Sequence, residues 1–426
     1  MSRERGNVMG AIKLCKMKIK FDLQNCCWRN GMQLERSREM IRKLMMALAS
    51  VVATCGVWAE TPTITGVTAK QRYPWNGKVD ITYTVTGCSG VASGTKPVLL
   101  VSATNRVAGT SYTALATALA GDTDMAEGTH HVVWDLNAQG LEFKSEDVVF
   151  TVAYATLFKQ YCVIDLSDGA NAASYPVTYM DESPSGGFNT DEYKTTKLVL
   201  RLIEPGTFMM GGSYQVTLTK PFYCGLFEVT QRQWELVMGG NPCSTTSYGK
   251  GNSYPVHYVS YNMIRGLSNG AQWPSSSAVD SSSFIGNLRA KTGLSDFDLP
   301  MEAQWEYACR AGTTTTYYWG NSMDGSYCWY PSNSSMTTHP VGGKTANAWG
   351  LYDMSGNVWE WCLDRYGNLT SGVTDPVGAS TGSYRVIRGG GWNNDVIFCT
   401  SSYRDDYDPS YGNFINGFRL VRTLSN

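Results

Sequence analysis

Cys399, in the stretch FCTSSYRDD (398–406), is the residue of this chain whose type most directly invites chemistry. A thiol there can be a nucleophile or metal ligand, half of a disulfide, or a small packed hydrophobe. Eight cysteines follow Ala59 (Cys88, Cys162, Cys224, Cys243, Cys309, Cys328, Cys362 and Cys399), an even number that permits a disulfide framework without fixing its connectivity. A second chemical candidate lies in GLYDMSGNVWEW (350–361), where Asn357 and Glu360 place an amide and a carboxylate beside the carbonyls of a glycine turn. Such oxygens suit a hard cation, although one carboxylate and one amide are few for calcium, and Glu360 bonding nearby backbone amides is the alternative. Other chemistries lack their residues. His130, His131, His257 and His339 show no metal spacing and there is no C-x-x-C pair, which argues against zinc. Gly342-Gly343-Lys344-Thr345 has Thr338 where a phosphate loop needs glycine, and no G-x-S-x-G elbow supports a serine nucleophile.

Around Cys399, the segment NNDVIFCTSSYRDDYDPSYGNFI (393–415) carries one Arg and no Lys amid Asn, Asp, Ser and aromatic residues. Tyrosine with Asn, Ser and Gly combines rigid amphipathic contacts with adaptable hydrogen bonding, the chemistry of a binding surface.

The elements that must position these residues follow from pattern. VDITYTV (79–85), KPVLLVSA (96–103), HHVVWDL (130–136) and EDVVFTVAYA (146–155) alternate at period two between Gly, Ser and Asn clusters, predicting an immunoglobulin-like β-sandwich over residues 60–158. His130 and His131 would then point to opposite faces and cannot share a metal. Residues 159–197 read as a polar linker with one short strand at most. From Leu198 to Asn426 the composition turns to Trp, Gly, Asn and Tyr, with a helix capped by Thr230 and another opening at Pro300. Upstream, Met40 to Glu60 has the charged start, apolar middle and small-residue end of a secretory signal, predicting cleavage after Ala59 and a secreted, periplasmic or cell-surface protein. Residues 1–39 then form an upstream extension before a second start methionine. Residues 1–59 hold 11 of the 35 Lys and Arg and 4 of the 36 Asp and Glu, leaving 24 basic against 32 acidic residues. That balance argues against nucleic acid as a partner, and no apolar run is long enough to span a membrane.

Taken in order, GTFMMGG (206–212), FEVTQRQWELV (227–237), LPMEAQWEYACRAG (299–312), GLYDMSGNVWEW, RVIRGGGW (385–392) and NGFRLVR (416–422) resemble the sulfatase-modifying-factor, or formylglycine-generating-enzyme, family. The resemblance covers Leu198 to Arg422 and implies an α+β, C-type-lectin-like domain with much irregular structure. It also implies a structural calcium at Gly356, Asn357, Val358 and Glu360. The family's oxidation of a sulfatase cysteine uses copper held by two cysteines five residues apart. Aligned from the Gly389-Gly390 side, the first falls on Cys399 and the second on Arg404, and aligned backward from Arg404 the pair falls on Val396 and Ser401. Either way the pair is incomplete, so copper and that activity are not expected, and Cys399 is expected to be buried or disulfide-linked, with Cys362 as a candidate partner. The C-terminal segment also resembles the variable proteins of diversity-generating retroelements, framed by RGGSW-like and GFRL-like ends. By that resemblance Trp392, Asn393, Asn394, Asp395, Ile397, Phe398, Tyr403, Asp405, Asp406, Tyr407, Tyr411, Asn413 and Phe414 are candidate contacts for a protein or glycan ligand. An ordinary surface loop is the alternative.

Overall fold

A computed structural model describes residues 63–424 apart from 73–75, 87–94, 106–110, 124–125, 143–147 and 244–246. The expected signal segment and Cys88 lie outside the described residues. The chain divides into two compact units after Phe158.

The described residues of the first unit form two β-sheets. One sheet runs β1 (Thr63–Gln71), β2 (Lys78–Thr86), β6 (Gly128–Asp135), β5 (Leu119–Gly121); the other runs β4 (Ser111–Thr113), β3 (Thr95–Asn105), β7 (Val148–Phe158). Every pairing is antiparallel. Alternation drives the packing: Val79, Ile81, Tyr83 and Val85 of β2 are buried, and they share one core with Val101 and Ala103 of β3, Val132 and Trp134 of β6, and Phe150 of β7. The neighbouring histidines separate as the pleat requires. His130 is buried and stacked on Tyr83, whereas His131 faces outward to Asp80.

The second unit mixes sheets, five short helices and long loops. Its six-stranded antiparallel sheet runs β14 (Phe297–Asp298), β20 (Val421–Thr423), β13 (Phe222–Gly225), β10 (Lys197–Ile203), β8 (Tyr161–Asp165), β9 (Val177–Met180). A four-stranded sheet runs β18 (Arg404–Tyr407), β17 (Arg385–Arg388), β15 (Trp359–Arg365), β19 (Asn416–Gly417), with the last pair parallel. A third holds β11 (Gly206–Met210), β12 (Tyr214–Leu218) and β16 (Val373–Thr374). The helices are α1 (Asp191–Thr195), α2 (Gln231–Met238), α3 (Tyr261–Arg265), α4 (Phe284–Thr292) and α5 (Glu302–Arg310).

Thr230 caps α2 as its sequence predicts, through a reciprocal bond with Gln233. Other expectations are corrected. The 159–197 segment is no linker: β8, β9 and α1 lie in it, and β8 pairs along five residues of β10. Strand β8 is only five residues long and is followed at once by Gly, Ser and Asp residues that read as turn. Pro300 sits before the N-cap Met301 rather than in the first turn of α5. The closing NGFRLVRT contributes to two sheets, because Asn416–Gly417 pairs with β15 and Val421–Thr423 with β13 and β14.

Candidate functional site

Helix α5 builds the frame of the site. Glu302 and Glu306, one turn apart, share a face and are both buried. Glu306 accepts from Arg310 at 2.8 Å and from the Gly211 N–H at 2.8 Å, and it pairs with Arg388. Glu302 receives two nitrogens of Arg404, at 2.7 and 2.6 Å. Arg388, fully buried, lies 5.1 Å from the Trp305 ring and donates to the carbonyls of Ser401, Ser402 and Tyr403. Two guanidiniums thus clamp the start of the C-terminal segment onto one helix. The position five after Cys399 is one arm of that clamp.

The glycine turn is held by buried side-chain contacts. Glu360 receives Arg419 on both oxygens, at 2.6 and 2.7 Å, and the Trp305 indole N–H at 2.7 Å. Asn357 holds a left-handed backbone (φ 61°), donates to Glu228 at 2.6 Å and accepts the His339 N–H at 2.9 Å. Gly356 packs so closely on Trp329 that an added Cβ would lie 2.2 Å from its carbonyl oxygen. The side chains of Asn357 and Glu360 are therefore engaged within the protein, in one turn with Gly356 and Val358. Among the described residues no group of three or more His, Cys, Asp or Glu is placed to hold a metal. Buried carboxyl groups cluster here. Burial pushes Asp353 up to about 6 and Glu228 well above the carboxylate range, and Asp353 Oδ1 has no hydrogen-bond partner.

The thiols also depart from expectation. Cys362 lies in the large core with Trp305 and Val386, apart from Cys399, so that proposed pairing is not formed. Cys399 instead packs with Cys328 and Tyr317 in one small buried cluster. Both cysteines are free and fully buried. The Cys328 thiol and burial together hold the Cys399 thiol well above its ordinary value. Nothing in the spacing of Cys328, 71 residues upstream, marks it as a partner.

The C-terminal segment falls into parts. Trp392 is buried, and half-buried Asn394 accepts from the Trp359 indole at 2.8 Å and the Gly391 N–H at 3.1 Å. Asn393 is half-buried. Asp395 caps a 3-10 turn over Val396–Cys399. Ile397 and Tyr411 are 57% and 58% exposed. Phe398 and Tyr403 pack against each other and on Trp359; Tyr407 touches Trp361 and Tyr411 and accepts from Asn413 at 2.9 Å. Asp405 and Asp406 lie half-buried on β18, and burial raises Asp406. Phe414 stacks 4.5 Å from Tyr248, which also stacks on Trp392, with Tyr258 at the edge. Tyr258 adopts φ 61°, a strained position for a bulky residue, and its N–H bonds the Asn413 carbonyl. Tyr248 and Tyr258 were not legible as site residues, since each lies more than a hundred residues upstream of the segment.

Residues 186–424 match the family described as Sulfatase-modifying factor enzyme 1-like domain. The chain is 30% identical over 262 residues to the chaperone protein LppX of Paenibacillus barcinonensis, covering 53% of this chain and 89% of that protein. It is 34% identical over 150 residues to the formylglycine-generating enzyme of Streptomyces coelicolor, covering 29% of this chain and 46% of the enzyme, so it spans about half of that relative. Among solved structures, Treponema denticola variable protein 1 is similar at 25% identity and a TM-score of 0.45, covering 54% of this chain and 96% of that one.

Proposed function

Because the matched region takes up more than half of its residues, the chain belongs to the sulfatase-modifying factor enzyme 1-like family, and we propose that it is an exported member that binds a protein or carbohydrate ligand through its C-terminal surface. The observation that carries this reading is a flexible-looking sequence held on a rigid base. Residues 393–415 are clamped at 401–404 by Arg388 and Arg404 and continue into β19, yet they leave Ile397 and Tyr411 open beside half-exposed Phe398, Tyr403, Tyr407 and Phe414. Aromatic anchors fixed in advance lose little freedom on binding. The first unit serves as an immunoglobulin-like spacer or attachment module, and cleavage after Ala59 starts the mature chain; among the described residues no helix is long and apolar enough to cross a membrane. A glycan array and a panel of purified surface proteins, read with the natural chain, Ile397→Ser and Tyr411→Ala, test the proposal. A ligand lost in both variants at unchanged thermal midpoint supports it, and one retained by both sinks it. Diversification of the segment would show as a near-copy of its coding sequence, differing at adenines, beside a reverse transcriptase gene.

A second reading, oxidation of a sulfatase cysteine, draws support from the Cys328 thiol beside Cys399. Two thiols suit Cu(I). Against it, both sulfurs are buried and the family's second position is Arg404, tied to Glu302. Incubating the protein with Cu(I) and a C-x-P-x-R peptide should leave the peptide thiol intact; aldehyde formation would establish the enzyme.

A further inference from the structure

Seven cysteines lie among the described residues, all free and buried, and they differ in what their sulfur faces. Cys243 sits between the N–H and carbonyl of His257, Cys309 faces the Met354 carbonyl, and Cys224 faces the Gly225 carbonyl. Cys162 lies against Tyr179 and Arg422. Cys399 faces another thiol, that of Cys328, inside a small apolar cluster with Tyr317, Trp319, Met323 and Tyr330.

Backbone contacts to one turn fix both partners. The Trp329 carbonyl, next to Cys328, accepts from the Asn357 N–H at 3.1 Å, and Trp329 bridges Gly356 in parallel. The Ser355 hydroxyl donates to the Cys399 carbonyl at 2.8 Å. A Cβ on Gly390 would lie 2.9 Å from the Phe398 carbonyl oxygen, so the absence of a side chain there lets the segment carrying Cys399 come in. Residues 355–357 therefore position both stretches of chain, and Cys328 and Cys399 come to share one buried cluster.

We propose that Cys328 and Cys399 close a disulfide in an oxidising medium, stapling the 321–336 loop to the start of the C-terminal segment. The oxidant is a small disulfide such as oxidised glutathione. One cysteine thiolate attacks it, releasing one glutathione thiolate and leaving a mixed disulfide; the second cysteine thiolate then displaces the other glutathione. One S–S bond breaks and one forms, the two cysteine protons pass to the departing glutathiones, and two electrons move from the protein to the oxidant. Burial keeps both sulfurs covered in the closed protein, so the bond forms during folding or when the 321–336 loop opens, faster than by attack on the native state. The inference is independent of the ligand-binding proposal, since it concerns how the segment is held and not what it touches.

The full chain, refolded in a mixture of oxidised and reduced glutathione, alkylated and digested without reduction, should yield one linked peptide pair containing Cys328 and Cys399, lighter by two hydrogens than the sum of its parts. Reductant should lower the thermal midpoint of that material by roughly 5–10 °C, as loss of a cross-link closing about 70 residues implies. Cys328→Ala and Cys399→Ala should each abolish the reductant effect, and Cys362→Ala should keep it. Recovery of both residues as alkylated thiols, linkage of either to a different cysteine, or both thiols held on one Cu(I) per chain with no S–S bond would overturn the proposal. The peptide map of the natural chain decides the matter even where a variant does not fold.

Discussion

Glu360 shows how a residue's chemistry can be visible while its role is not. In the sequence its carboxylate stands beside Asn357 in a glycine turn, which is the company an oxygen ligand keeps. In the folded chain both its oxygens belong to Arg419, which lies 59 residues on in NGFRLVR, and both partners are almost wholly buried. No local pattern announces a pair separated so far. The consequence is a test on stability. Glu360→Gln keeps the shape and the Trp305 contact but leaves the Arg419 guanidinium as an uncompensated buried charge. Breaking a buried pair from one side costs about 3–5 kcal/mol, so the urea midpoint of the variant should fall accordingly. Glu360→Gln paired with Arg419→Met should recover part of the loss, because the stranded charge is gone. A single variant as stable as the natural chain would mean that the turn is held by something other than this pair.

Among the elements, α5 was legible and its surroundings were not. PMEAQWEYACRA spaces Trp305, Ala308 and Cys309 along one face, and all three are fully buried. The opposite use of Glu302 and Glu306, as anchors for arginines from β17 and β18, needed the tertiary structure. Helix α4 was missed although Ser283 accepts from the Gly286 N–H and Gly293 closes it in a left-handed turn, because serines before it read as loop. Strand β15 ends in a group that should make stability depend on pH. Asp364 is buried, burial and then the Glu302 charge push it up to about 7, and its Oδ2 accepts the Glu302 N–H at 2.7 Å. Its native value is raised above the ordinary carboxylate value of 3.8, so between these pH values the folded state holds a proton that the unfolded state has released. The contribution is fully present below about pH 4 and is lost as pH rises toward about 7, then levels off. Measured as the difference in unfolding free energy between the natural chain and Asp364→Asn, stability should decline across that window by a few kcal/mol. A difference that stays flat from pH 4 to 8 would place the proton elsewhere. Asp353, pushed up to about 6, predicts a like decline centred lower, and a profile that added calcium flattens would place an ion at the glycine turn.

At the scale of the whole molecule, the sequence marked two folded units but drew their border for the second one at Leu198, where composition changes. Composition was a poor guide because the first strand of the second unit, YCVID, is only five residues long and is followed at once by polar turns. What decides the border is pairing. Strand β10 lies inside the six-stranded sheet, bonded to β13 on one side and β8 on the other, and β9 covers β8 in turn. The contacts reach back to the start: the Leu202 N–H bonds the Gln160 carbonyl and the Tyr223 hydroxyl bonds the Lys159 carbonyl at 2.6 Å. A chain cut to 159–426 keeps all of these, whereas one cut to 198–426 leaves the full edge of an apolar strand unpaired, with Val199 and Phe227 stripped of their cover from Val163 and Phe188. Unpaired apolar edges recruit other chains. The shorter fragment should therefore aggregate or elute as oligomers, and the longer should be monodisperse with a cooperative melt. Because the first unit has its own core, the full chain should show that same melt as one of two separable transitions in calorimetry, the other vanishing when residues 1–158 are removed. A soluble, cooperatively folding 198–426 fragment would mean that β8 and β9 decorate the domain rather than complete it.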